Sequence, residues 1–192
     1  MKRGSKLLIA LGLLLILGSL GALLGFRLQA VSARKTAAAT VSRLRELLPT
    51  GSPGILEQYS NMEMPVLQVG GQDIAAIIEI PAFGLSLPVR NSWEGGRVRR
   101  MPARFCGTAY DGTLVIGGSD QPGQFDFFEQ LQPGAAVTLT DMTGKIFSYT
   151  VSRIDRSSSA SAEKLTAGDW ELTLFVRDAY SLDYILLRCS MY

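Results

Sequence analysis

The composition of this chain restricts the nucleophilic chemistry that it can perform. Its 192 residues include two cysteines and no histidine. A thiol or hydroxyl nucleophile needs a base beside it, and in Ser-His-Asp and Cys-His arrangements that base is histidine. Both arrangements are therefore excluded. Zinc sites that use histidine are excluded too, and two cysteines cannot supply the four thiolates of an all-cysteine zinc site.

The composition allows two other kinds of site, a serine–lysine dyad and a calcium site. A serine–lysine dyad needs a desolvated lysine, but after residue 65 the chain has only Lys145 in a predicted turn and Lys164 in a polar connection. An all-oxygen calcium site could draw on Asp111, Asp120 and Asp126, yet these lack a regular ligand spacing. Solvated side chains are the favoured interpretation of both sets, and we expect no metal and no cofactor.

The cysteines, Cys106 and Cys189, leave two alternatives open. If the C-terminal part lies outside the membrane, that compartment permits a disulfide between them. Two separate buried thiols explain the same pair equally well, because sequence alone does not show that the two side chains meet.

The N-terminus has the pattern of a membrane anchor. Residues 7–26 contain no charge, and Lys2, Arg3 and Lys6 precede them. A helix of twenty residues spans a bilayer core of roughly 30 Å. A cleaved secretory signal is the alternative, but its apolar run is about 7–15 residues. We predict an uncleaved signal-anchor over residues 1–26, with the rest of the chain on the extracytoplasmic face, because long domains translocate largely regardless of charge.

A stalk and a β domain follow the predicted anchor. Residues 34–48 are rich in helix formers, with Val41 and Leu44 at helical spacing and Pro49 as a stop signal. We predict a helical stalk and linker over residues 27–65. Residues 66–192 form the predicted domain.

The domain is predicted to be mostly β. Alternating or apolar runs predict strands, and residues 141–145 join two of them as a hairpin loop with Gly144. Short strands with few helices are typical of a small closed barrel. The predicted strands cover residues 74–80, 85–89, 113–117, 136–140, 146–154, 171–176 and 184–189.

The order of several stretches resembles one family, the bacterial sortases. These are membrane-anchored cysteine transpeptidases that join surface proteins to the cell wall or to one another, and the chain most resembles the class B-like forms of Gram-positive Firmicutes. The resemblance implies a closed barrel of about eight strands with short helices, after a transmembrane helix and a stalk helix. It is carried by residues 77–81 (IIEIP), 87–89 (LPV), 104–110 (RFCGTAY), 114–119 (LVIGGS), 125–134 (FDFFEQLQPG), 169–175 (DWELTLF) and 184–189 (YILLRC).

The departures from the family lie at its catalytic positions. By this resemblance Ser119 stands in place of the histidine, Arg177 in place of the nucleophilic cysteine, and Tyr184 in place of the arginine that stabilises the oxyanion. Arginine stays protonated and cannot attack a carbonyl, and tyrosine is a neutral hydrogen-bond donor. The resemblance therefore predicts a pseudoenzyme that lacks the Cys-His-Arg triad.

Such a pseudoenzyme could still bind an extended peptide. The expected ligands are sorting signals or the tails of pilins and other surface proteins, and active sortases are further candidate partners. The candidate groove residues are Gly118, Asp120, Asp178 and Asp183. Arg177 would favour a carboxylate or an acidic peptide unless Asp178 or Asp183 neutralises it, and the sequence leaves that open.

Two alternatives remain for the function. The barrel could be a structural or interaction domain at the cell surface with no groove ligand. It could also be an active enzyme with a rebuilt site, in which Cys106 or Cys189 is the nucleophile. A formal net charge of +2 is too small to indicate a nucleic-acid partner.

Overall fold

The computed structural model describes the backbone of residues 2–48, 63–94, 98–179 and 181–192. Most of the loop expected over residues 50–65 lies outside these ranges. Within the described ranges, two α-helices and nine strands follow in chain order: α1 (Lys2–Leu47), β1 (Leu67–Val69), β2 (Gln72–Ile80), β3 (Leu85–Arg90), β4 (Ala103–Cys106), β5 (Leu114–Ser119), β6 (Ala136–Asp141), β7 (Ile146–Ser157), α2 (Ala162–Leu165), β8 (Leu172–Arg177) and β9 (Tyr184–Met191).

Eight of these strands close into a barrel. Their order around it is β2-β3-β4-β5-β8-β9-β7-β6, and β6 returns to β2 through antiparallel pairs that include Ile78 with Leu139. The ninth strand, β1, pairs with the start of β2 outside this ring. Closure leaves the eight strands without a free edge. The mostly β, closed eight-stranded barrel that the resemblance implied is confirmed.

Both faces of the barrel wall are covered near β8. Leu174 and Val176 point into the main core, whereas Phe175 packs in a separate cluster on the outer face. Every residue of β8 is buried except Arg177 at its end. A strand that is covered on both faces is mostly apolar in sequence, and this accounts for residues 172–176, among which only Thr173 is polar.

The predicted strands and the observed ones differ mainly at their ends. All seven predicted segments fall within or across observed strands, and β7 extends beyond its prediction to Ser157. The prediction missed β1 and β4, which have three and four residues. Strands this short have too few residues for an alternating pattern to be distinguished from loop composition. The polar connection after β7 contains α2, a single helical turn.

Helix α1 covers the predicted anchor and the first part of the predicted stalk and linker, and it ends at Leu47. Its last turns lie against the barrel, where Val41 and Leu44 pack with Ile74 and Ile77 of β2. The expected anchor segment has a helical backbone as the first part of α1. Among the residues that the structure describes, however, no helix is long and apolar enough to cross a membrane.

We predict that Leu44 secures α1 to the barrel. Its side chain is 0% exposed, whereas Leu47 on the same helix is 59% exposed. Leu44→Ala leaves a cavity between α1 and β2 and should lower the free energy of unfolding by about 3 kcal/mol. Leu47→Ala should change it by less than about 0.5 kcal/mol. Denaturant unfolding of the full chain in detergent measures both, and equal effects would contradict this packing.

Candidate functional site

Strand register brings the three replaced catalytic positions side by side. Ser119 at the end of β5 pairs with Arg177 at the end of β8, and Arg177 pairs with Tyr184 at the start of β9. Neighbouring strands lie about 4.8 Å apart, and these three positions share the outer face with Phe175. We call Ser119, Arg177 and Tyr184 the outer row.

Arg177 is exposed, but its guanidinium has defined contacts. Its Nε donates a hydrogen bond to the carbonyl of Leu182 at 3.3 Å. The guanidinium carbon lies 6.0 Å from the centre of the Tyr184 ring, within the range of a cation–π contact. The head of the side chain is thus fixed on one edge by a carbonyl and supported by an aromatic face.

Ser119 has no base beside it. Its backbone N–H donates to Gln124 Oε1 at 2.9 Å, and its hydroxyl oxygen accepts from the Gln121 N–H at 3.4 Å. In the part of the chain that the structure describes, no carboxylate accepts a hydrogen bond from the Ser119 hydroxyl. A hydroxyl without a base stays protonated at neutral pH and is a poor nucleophile.

Asp120 and Asp178, predicted for the groove, lie instead around a cleft at the mouth of the barrel. This cleft has a volume of about 390 Å³, and Val176 and Ile185 of the inner face are among its lining residues. Asp178 is 8% exposed and accepts from Ser181 Oγ at 2.6 Å and from Arg156 Nη1 at 3.3 Å. The structure thus separates the two carboxylates from the outer row, because they cap the inner side of the wall.

The remaining predicted groove residues have backbone roles. Gly118 faces inward, where a methyl group would overlap the ring of Phe125. The carbonyl of Asp183 accepts from the Asp178 N–H at 2.8 Å and closes the turn between β8 and β9. Neither Asp178 nor Asp183 forms an ion pair with Arg177.

An aromatic cluster forms the floor of the outer face beside the outer row. Trp93 lies 5.3 Å from Phe175 and 5.5 Å from Phe105, measured between ring centres. Tyr184 adjoins it, 6.3 Å from Phe175. A methyl group at Gly117 would overlap both Trp93 and Phe175. The sequence signal for this floor is Gly117, the last residue of the strand predicted over residues 113–117.

A buried arginine fixes one wall above this floor. Arg188 is 4% exposed, and its Nη1 donates to the carbonyl of Leu165 at 2.6 Å and to Thr173 Oγ1 at 2.9 Å. Its Nε donates to Asp155 at 3.4 Å. The connection between β7 and β8 is therefore held against the outer face, and Leu165 packs there with Phe175. Sequence reasoning missed Arg188, because nothing in its spacing distinguishes it from a surface arginine.

The carboxylate of Asp155 is held in its charged form at this wall. A hydrogen bond from Arg153 is the largest cause that lowers the pKa of Asp155, and Arg188 acts in the same direction while partial burial opposes both. Arg153 Nε lies 2.6 Å from Asp155 Oδ1. Asp155 therefore accepts from both arginines across the neutral range.

The two cysteines are free and far apart in the sheet. Cys106 on β4 belongs to the outer aromatic cluster, whereas Cys189 on β9 belongs to the inner core. Strands β5 and β8 lie between them, so the Cα atoms cannot approach within the roughly 7 Å that a disulfide requires. The disulfide considered from sequence is therefore corrected to two separate thiols.

Neither thiol is prepared for nucleophilic attack. Burial raises the pKa of Cys189 to about 12. Burial also raises the pKa of Cys106, although Arg104 opposes the shift. The thiolate is the reactive form, so both thiols are mainly protonated and are poor nucleophiles at neutral pH.

No metal site is apparent in the described residues. No group of three or more His, Cys, Asp or Glu side chains converges there. Asp111, considered above for calcium, accepts instead from the N–H of Thr113 at 3.1 Å and from its hydroxyl at 2.6 Å.

Comparison with known proteins agrees with this geometry. The family model described as the sortase domain matches residues 78–176. Sortase C-3 from Streptococcus pneumoniae is 19% identical at a TM-score of 0.56, over 85% of this chain and 83% of that one. The Clostridium perfringens sortase D5 transpeptidase is 18% identical at a TM-score of 0.58, over 84% and 99%. Sortase A from Corynebacterium diphtheriae is 16% identical at 0.55, over 91% and 95%. No curated protein matches this chain.

We predict slow and unequal labelling of the thiols by iodoacetamide. Cys189 should stay unmodified until the protein unfolds, because it is 0% exposed and protonated. Cys106 should react about tenfold more slowly than a cysteine in the unfolded chain, and its rate should still rise between pH 7 and 9 because its pKa is raised. Intact mass spectrometry reads the adducts, with Cys106→Ser as the control. Rapid labelling of Cys189 in the folded protein would contradict the assignment.

Proposed function

The chain belongs to the sortase family, and we propose that it is a catalytically inactive member that binds an extended peptide on the outer face of its barrel. One observation carries this proposal. The registers of β5, β8 and β9 align Ser119, Arg177 and Tyr184 where, by resemblance, active members carry histidine, cysteine and arginine. The scaffold that would align a triad is retained, and the side chains that would react are absent.

Each step of acyl transfer lacks its group at the outer row. Attack on a carbonyl requires a nucleophile, and Arg177 is permanently protonated. Proton transfer requires a base, and Ser119 has none beside it. Tyr184 can donate only one neutral hydrogen bond to a developing oxyanion. A rebuilt site that uses Cys106 or Cys189 is disfavoured, since both pKa values are raised and Cys189 faces the inner core.

The outer face has the features that peptide binding requires. Its floor is apolar and aromatic, and Arg188 fixes one wall through hydrogen bonds to the carbonyls of Lys164 at 2.7 Å and Leu165 at 2.6 Å. Sites of this kind combine an apolar lining with a few placed polar groups. We infer that the ligands are sorting-signal segments or tails of surface proteins, bound without processing. The protein would then act as an accessory to active sortases or compete with them.

We also propose that the first part of α1 anchors the protein in a membrane, with the barrel on the extracytoplasmic face. The charge-free run over residues 7–26 and the basic residues before it support this location. Leu13, Leu14 and Leu24 are 59%, 68% and 62% exposed and have no protein core to cover them.

A second function is favoured by one contact. Trp93 packs on Gly117 and Phe175, so the protein's own side chain occupies part of the outer face. A domain that needs no groove ligand could use this arrangement as a closed surface for protein–protein interaction. Peptide binding separates the two functions.

We predict that the full chain in detergent neither cleaves nor transfers sorting-signal peptides. A panel of such peptides would be incubated with the protein and an amine acceptor, and the products would be read by mass spectrometry. We expect no product, because no nucleophile lies at the outer row. A product that disappears in Cys106→Ala or Cys189→Ala would reject inactivity and support a rebuilt site.

Binding is measured on the same peptides by fluorescence polarisation. The proposed function predicts that a labelled sorting-signal peptide binds at least tenfold more tightly than its scrambled form. Equal affinities for the two peptides would instead favour the closed interaction surface.

A further inference from the structure

We propose that the outer row is a carboxylate-recognition site, which selects peptides that bring an acidic side chain or a free C-terminal carboxylate to the end of β8. This inference rests on the proposed function, because the peptide must lie on the outer face. In this proposal, a site that recognises negative charge occupies the position of the reacting centre in an active relative.

The guanidinium of Arg177 is oriented before any ligand arrives. Its Nε edge is occupied by the Leu182 carbonyl at 3.3 Å, and its plane is supported by the Tyr184 ring at 6.0 Å. Its Nη1 and Nη2 atoms have no protein partner among the described residues. A planar pair of N–H donors fits the two oxygens of a carboxylate in a bidentate contact.

The turn that holds Arg177 is itself strained. Leu182 has φ of 63°, and among the described residues it is the one non-glycine residue with a positive φ. Side chains with a Cβ seldom adopt this conformation. Two hydrogen bonds hold the turn, from the Leu182 N–H to the Asp178 carbonyl at 3.1 Å and from the Asp178 N–H to the Asp183 carbonyl at 2.8 Å. This conformation aims the Leu182 carbonyl at Arg177, and strained backbone of this kind tends to occur at ligand sites.

Among the described residues, no carboxylate forms an ion pair with Arg177. The nearest carboxylate in sequence, Asp178, is paired with Arg156 at 3.3 Å on the other side of the wall. Asp120 accepts from the Ala179 N–H at 3.1 Å. The sequence left open whether Asp178 or Asp183 neutralises Arg177. In the structure, neither of these carboxylates does so.

Two hydroxyl groups flank the guanidinium and complete the site. The Ser119 oxygen already accepts from the Gln121 N–H at 3.4 Å, so its own hydrogen is available to donate. Tyr184 offers a phenol on the opposite side of Arg177. A carboxylate has about four acceptor positions, so two can take the guanidinium and the others can take these hydroxyl groups.

The test uses one fluorescein-labelled sorting-signal peptide in four forms. A central position carries Asp or Asn, and the C-terminus is a free acid or an amide. Fluorescence polarisation with the full chain in detergent measures the four affinities. We expect at least one acidic form to bind about tenfold more tightly than the form that has neither carboxylate. The form that gains affinity identifies the source of the carboxylate.

Variants then test whether the side chains of the outer row cause the preference for the acidic peptide. Arg177→Gln should remove the tenfold preference. Arg177→Lys keeps the charge without the planar fork and should restore only part of the preference. Arg43→Gln makes the same change of net charge at an exposed position of α1 and should leave the preference intact. Tyr184→Phe should reduce the preference about threefold. Thermal unfolding of each variant confirms that it is folded.

Each outcome bears on a different claim. If all four forms bind equally well, or if Arg177→Gln leaves the preference unchanged, carboxylate recognition by the outer row is wrong while peptide binding stands. If no form binds better than a scrambled peptide, the proposed function is wrong, and the carboxylate site is wrong with it.

Discussion

The parallel pairing of β5 with β8 determines where the candidate functional side chains of this protein lie. These two strands are distant in sequence, and their register continues through β8 and β9. One alignment of three strands therefore fixes the outer row, the aromatic floor and the inner core at once. A shift by one residue would turn Arg177 toward the core and Val176 toward solvent. The continuous burial of β8 resists such a shift, because both faces of the strand are occupied.

This arrangement explains how the fold persists without a reacting centre. The barrel is stabilised by its inner core and by the outer cluster around Phe175 and Leu165. The outer row lies at the strand ends, where Arg177 is exposed and Ser119 and Tyr184 are partly exposed. Side chains at such positions contribute little to burial, so their chemistry can differ without a change in the core. A fold is for this reason weaker evidence of activity than its site.

The sequence predicted the parts of the fold that local patterns encode. The long strands show alternating or continuous apolar runs, and the absence of histidine excluded two classes of chemistry before any geometry was known. The many short strands and the family resemblance both predicted a closed barrel, but the pairing of β2 with β6 that closes it depends on contacts remote in sequence. Local patterns could not predict that Cys106 and Cys189 lie apart, because their separation by two strands is a property of the sheet order alone. The contact between Trp93 and Gly117 could not be predicted from local patterns either, because it depends on where the chain places Trp93 after β3.

The central claim is that position 177 lies in a peptide-binding groove and carries no nucleophile. A sorting-signal peptide that ends in a vinyl sulfone tests it directly, because at neutral pH this group adds to a nearby thiolate much faster than to other side chains. Intact mass spectrometry would compare the natural chain with Arg177→Cys. We predict no adduct on the natural chain and a single adduct at position 177 of the variant, formed faster than with a scrambled probe. An adduct at Cys106 or Cys189 of the natural chain, or equal labelling of the variant by both probes, would contradict the claim.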